Sequence, residues 1–244
     1  FTFNCRSNAP MFLTKVSITE PVRGYAAGLP VVDKLRRTPL ELDQVTIFTG
    51  ENGSGKSTLI EAIATAAGAN PAGGSRHARF AAADHSALHE SLTLTRRENP
   101  RDVYFLRGET FLDLGEYHHQ LDKDTPFGPR DPLADIPHKS HGQGIMHLAR
   151  TRFGPDTLII LDEPEDGLSV FSQLELLGLL TVLARRGAQI LMATHSPVLL
   201  AVSEASIVYV PTLERMLYRD TEPPTATQEF IRDPHGTAAY LTRP

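Results

Sequence analysis

Five short apolar runs, rich in β-branched residues, recur along the chain at 45–49, 103–106, 157–161, 189–194 and 206–210. Runs of this length and continuity predict strands buried on both faces. Helical patterns alternate with them over 57–67, about 144–153 and about 169–186. Strand and helix in alternation give an α/β class: a mostly parallel sheet flanked by helices, with a smaller lobe. Two stretches interrupt the pattern. Residues 68–90 are rich in Ala, Gly, His and Arg, and 122–139 carry Pro126, Pro129, Pro132 and Pro137 among charges. Both predict irregular surface segments within one domain spanning 1–244, because proline disfavours helix interiors and central strands. The tail, 219–244, predicts one helical segment over 225–232 and suggests no chemistry of its own.

Composition narrows the classes. The chain has 244 residues, and its single cysteine, Cys5, excludes a disulfide framework and multi-cysteine zinc sites. No run of 18 apolar residues predicts a membrane span, and the start has no basic or apolar leader, so the expected compartment is the cytoplasm. The chain does not begin with Met, and its first residues read as a truncation or an addition. With 24 Lys and Arg against 29 Asp and Glu, the surface is not one dominated by phosphate contacts.

The strongest chemical signal follows the first apolar run. Gly50, Glu51, Asn52, Gly53, Ser54, Gly55, Lys56, Ser57 and Thr58 match G-x-x-x-x-G-K-[ST]. Glycines let backbone N–H groups turn inward on phosphates. Lys56 would reach the β and γ phosphates, the Ser57 hydroxyl would ligate Mg²⁺, and the next helix offers its positive end to the same anion. The setting, strand before and helix after, is the one this chemistry requires.

A second signal closes the run 157–161, which delivers Asp162 and Glu163 at a strand's C-terminal end, where open α/β sheets bind ligands. Asp162 would complete the Mg²⁺ shell and Glu163 would polarise an attacking water. His195 ends another apolar run and would hold the γ phosphate or the water in register; alone, a histidine there is more often structural. The pair His118 and His119 has no metal-ligand spacing.

Together these segments resemble the ABC-type ATPases, and more closely the small AAA-family or SMC-like predicted ATPases. The order is phosphate loop, Ser140-His141-Gly142-Gln143-Gly144, the 158–163 strand end, then Thr194-His195-Ser196. The family's signature, usually Leu-Ser-Gly-Gly-Gln, binds the γ phosphate held by an opposite subunit. Ser140, Gly142 and Gln143 match it, His141 replaces its first glycine and Lys139 its leucine. The resemblance further implies an adenine-stacking role for Tyr25, 25 positions before Gly50, and a metal-contacting role for Glu109, where the family has a glutamine. Residues 165–169 correspond to the family's D-loop, with Ser169 where Asp is usual.

The resemblance implies ATP and Mg²⁺ as cofactors, hydrolysis to ADP and phosphate, and an ATP-sandwiched homodimer. It places the chain in DNA maintenance or defence, with a separate effector protein and DNA contact left open. The alternatives are the nucleotide-binding subunit of a membrane transporter, and a low-turnover nucleotide-dependent regulator. Only 84 residues separate Lys56 from Ser140, which leaves no room for coiled-coil arms.

Overall fold

All five apolar runs are neighbouring strands of one sheet. The structure is a computed structural model describing residues 11–75, 86–124 and 130–242; Cys5 lies outside the described residues. The chain begins with β1 (Leu13–Ile18), α1 (Pro30–Arg37), β2 (Leu40–Glu41), β3 (Val45–Thr49) and α2 (Lys56–Ala67). Then come β4 (Gly74–Ser75), α3 (Leu88–Ser91), β5 (Leu92–Arg96), β6 (Asp102–Arg107) and α4 (Phe111–Asp124). The second half holds α5 (His141–Arg152), β7 (Thr157–Asp162), α6 (Val170–Arg185) and β8 (Gln189–Ala193). It closes with β9 (Ser206–Tyr209), β10 (Glu214–Met216), α7 (Glu222–Arg232) and α8 (Pro234–Leu241).

The large sheet has the order β10-β9-β3-β8-β7-β6-β4. Its five middle strands are parallel, and β10 and β4 join antiparallel at the edges. Successive side chains of a strand point to opposite faces. Phe48, Val103, Phe105, Leu158 and Ile160 accordingly pack on one side with Leu59, Ile60 and Ile63 of α2. Ile47, Tyr104, Leu106, Ile159 and Leu161 pack on the other with Ile145 and Leu148 of α5 and Leu176 and Leu180 of α6. Both faces are covered, which is why these strands carry no polar alternation.

A second, three-stranded antiparallel sheet, β2-β1-β5, forms the smaller lobe. One fully buried side chain ties it to the large sheet. The Gln189 carbonyl accepts the Phe12 and Leu13 N–H groups at 3.0 and 2.8 Å, and its amide donates to the Leu13 and Asp43 carbonyls at 2.7 and 3.1 Å.

The structure also holds elements the pattern did not predict, among them α1, β2 and β10. The strands β1 and β5 went unpredicted because each buries only part of one face, leaving no continuous apolar run. The helix α5 starts at His141 rather than near 144: Gly142 and Gly144 weaken helical propensity, but Ser140 and Gln143 form a capping box that starts it early. Inside 68–90 the described residues include β4 and α3, and α4 extends to Asp124. The tail holds two helices, α7 and α8, with prolines in the first turn of each, where a missing N–H costs nothing.

Candidate functional site

The phosphate loop is a tight wrap between β3 and α2. Gly55, the residue before α2, has φ +92°, a left-handed conformation that side chains resist. No side chain caps α2, so the N–H groups of its first turn point outward without an acceptor. The Lys56 side chain turns back into the loop, donating to the Gly50 and Glu51 carbonyls at 3.1 and 2.8 Å. Burial lowers its pKa, and Glu163, Asp162 and Glu165 oppose that shift.

Sheet register assembles the acidic end. Asp162 sits opposite Ala193 of β8 on one side and Arg107 of β6 on the other. The Ser57 hydroxyl is near enough to the Asp162 carboxylate to favour its ionised form, so the residues expected to share a cation lie together. The Asp162 Oδ1 is buried without a partner. Burial pushes this carboxyl up to about 7, against the pull of the Arg107 guanidinium, whose Nε is 3.7 Å from Oδ2. Arg107 also pairs with Glu61 at 2.7 Å and Glu109 at 2.8 Å.

A carboxyl whose folded pKa is raised destabilises the fold as pH rises, because the unfolded chain ionises first. Free of ligand, the chain is expected to lose stability between about pH 4 and pH 7, by on the order of 4 kcal/mol from this group. Glu165 shifts the same way through burial. Chemical denaturation across that range, compared with Asp162→Asn, measures the Asp162 share; parallel pH curves for the two chains would exclude it.

Glu163 has φ +46°, a left-handed turn at the strand end, and its N–H donates to the Ala193 carbonyl at 2.9 Å. Gly108 makes that turn possible, since a Cβ there would lie 2.5 Å from the Glu163 carbonyl oxygen. The turn brings Glu163 Oε1 within 3.7 Å of His195 Nε2. The histidine loop is held by Glu165, whose Oε1 accepts the His195 and Ser196 N–H groups and the Thr194 hydroxyl at 2.7, 3.0 and 2.7 Å. Sequence reasoning assigned no positioning role to Glu165, Arg107 or Gly108; a lone Arg or Gly after a strand carries no pattern. Gly50, Glu51, Asn52 and His195 line a cavity of about 740 Å³ that α7 closes on its far side.

Two family models match this chain: one described as "AAA domain, putative AbiEii toxin, Type IV TA system" over residues 143–201, and one described as "AAA domain" over 34–110. A Bacillus thuringiensis protein named "Putative ABC transporter ATP-binding protein" is 27% identical over 70% of this chain and 33% of its own length. Human "Retinal-specific phospholipid-transporting ATPase ABCA4" is 26% identical over 93% of this chain and 10% of its own. Over these matched segments the chain is similar to ABC-type P-loop ATPases. It spans about a third of the length of the first of these relatives. The solved "SMC head domain from Thermotoga maritima" aligns with 81% of this chain and 95% of its own, at 14% identity and TM-score 0.43.

Of the other positions the ABC-type pattern singles out, Tyr25 reaches the start of α2, while the signature residues lie away from the phosphate loop. Ser140 caps α5, accepting the Gln143 N–H at 3.4 Å while the Gln143 side chain accepts the Ser140 N–H at 3.2 Å. Gly142 and Gln143 line a different hollow, beside α6. His141, in place of a glycine, stacks edge-on to Phe111 at 5.0 Å and lies beneath Gly167, where a Cβ would meet its ring at 2.8 Å. Ser169, in place of Asp, caps α6 through the Ser172 N–H. Tyr25 is two-thirds exposed beside α2, its hydroxyl 3.3 Å from Thr58 Oγ1. The Glu109 carboxylate is 68% exposed and bound by Arg107, so a metal contact would require that pair to open.

Proposed function

We propose that the chain binds ATP with Mg²⁺ and hydrolyses it to ADP and phosphate, working as two copies that sandwich two nucleotides. The observation that supports this best is the meeting of Lys56, Ser57, Asp162, Glu163 and His195 at one sheet edge beside an uncapped helix end. The residues present fit Mg²⁺, since Asp162 has an unpartnered buried oxygen next to the Ser57 hydroxyl. When bound, Mg²⁺ supplies charge neutralisation on the β and γ phosphates.

The remaining chemistry falls to side chains. The loop N–H groups and α2 bind the phosphates, Lys56 turns a donor on the γ phosphate, and Tyr25 stacks on the base. Glu163 accepts the proton of the attacking water as its oxygen bonds to the γ phosphorus and the bond to the ADP oxygen breaks. His195 orients that water and the phosphate, and Glu165 orients His195. Ser140, Gly142 and Gln143 of a second copy complete the site, with the Ser140 hydroxyl exchanging its cap bond for the phosphate. Light scattering on Glu163→Gln in saturating Mg·ATP should show a dimer; a monomer would contradict the two-copy site.

The similarity of residues 143–201 to an AAA domain described as a putative toxin of a toxin–antitoxin system supports a role in a toxin or defence system. A second reading, the ATP-binding subunit of a membrane transporter, draws support from the names of the curated relatives. No described helix is long and apolar enough to cross a membrane, so transport would need a membrane-spanning segment elsewhere. Co-purification with a multi-span membrane protein would favour transport.

A further inference from the structure

The tail helices α7 and α8 bury none of their residues. They are nevertheless seated at a defined place. Thr221 is buried, and the Tyr218 hydroxyl donates to the Pro197 carbonyl at 2.9 Å, anchoring the start of α7 to the loop that carries His195. Glu222, Thr225, Ala226 and Glu229 have the i, i+3, i+4, i+7 spacing of one helix face, and all four line the 740 Å³ cavity opposite the phosphate loop. With Glu51 and Asp220, that cavity has four carboxylates and no Lys or Arg in its lining. Glu222 and Glu229 have no ion pair among the described residues. The acidic face of α7 suits a cationic body.

The same chain carries such a body. Gln143, Met146 and Arg150 share one flank of α5 and, with Lys139 just before the helix, line a hollow with Ser172 and Glu175. Lys139 and Arg150 have no ion pair among the described residues either. Beside it α6 exposes Val170, Phe171 and Leu174, while α7 exposes Phe230 and Ile231. Acidic and apolar groups on α7 are thus complementary to basic groups beside α5 and apolar groups on α6. In a two-fold pair, such a match is made twice.

We propose that the cavity-facing side of α7 is a docking surface for the α5 flank of a second copy of this chain. The inference rests on the two-copy reading above and adds the surface that selects the partner. Glu222 and Glu229 receive Lys139 and Arg150, which steers the α5 end with Ser140 toward the phosphate loop and neutralises the wall beside the nucleotide. A signature end that docks without this match lacks the steering.

The test uses Glu163→Gln chains in Mg·ATP, with dimer affinity read by analytical ultracentrifugation. Reversing the acids (Glu222→Lys with Glu229→Lys) should weaken the dimer roughly tenfold, and reversing the bases (Lys139→Glu with Arg150→Glu) should do the same. The chain with all four reversals should recover to within about threefold, because each interface then carries the pairing inverted. All four positions lie off the core, so unfolding temperature checks that the fold is intact. A dimer indifferent to the reversals, as expected if α7 serves another protein, overturns the docking surface and leaves the two-copy reading standing. A chain monomeric even before the reversals overturns that reading, and this surface with it.

Discussion

Lys56→Ala is expected to weaken ATP binding at least about a hundredfold, since it removes charge-assisted bonds to phosphate from a desolvated site. The loss should come with little change in stability. The Lys56 ammonium gives two bonds to carbonyls of its own loop, and its burial disfavours the charge that the neighbouring carboxylates favour. Those terms oppose one another in the folded chain, whereas in the nucleotide complex the phosphate adds a term that only favours the cation. Calorimetric titration with Mg·ATP, alongside thermal unfolding without ligand, separates the two. Lost binding with an unfolding temperature within a few degrees of the parent fits a ligand-holding lysine. Intact binding would remove Lys56 from the site.

Gln189→Leu should cost about 3–6 kcal/mol, a large part of a domain's usual stability. The four bonds of Gln189 satisfy the N–H groups of Phe12 and Leu13 and the carbonyls of Leu13 and Asp43. Leucine matches the volume and none of the bonds, and the orphaned backbone groups are buried where water cannot reach them. The penalty should concentrate in the antiparallel lobe. Hydrogen exchange is expected to accelerate across β1 and β5 before it does so in β7 and β8. A uniform rise, or none, would show that Gln189 does not fasten the lobe.

The parts of this molecule that were legible in the sequence share a physical cause. The parallel strands are buried on both faces, so 45–49 and 157–161 read as unbroken apolar runs, and the phosphate loop needs glycines at fixed spacing. The antiparallel lobe needs neither. Its β1 and β5 bury one face in part, and the residue that joins them to the sheet, Gln189, is polar. At the site, Lys56, Ser57, Asp162, Glu163 and His195 were readable because each sits in a motif or at a strand end. Glu165, Arg107 and Gly108 were not, because their importance comes from register and close approach. Arg107 reaches Asp162 only because β6 and β7 pair as they do, and Gly108 matters only because Glu163 turns above it. The departures at His141 and Ser169 became intelligible through packing: one fills the space beneath Gly167, and the other caps α6.

The central claim is that this loop and this acidic strand end hydrolyse ATP. Phosphate release in saturating Mg·ATP, followed side by side for the parent chain and Lys56→Ala, tests it most directly. The account predicts steady release by the parent and a fall to background in the variant. Equal release by both chains, or none by a parent shown to bind ATP as a dimer, would contradict it.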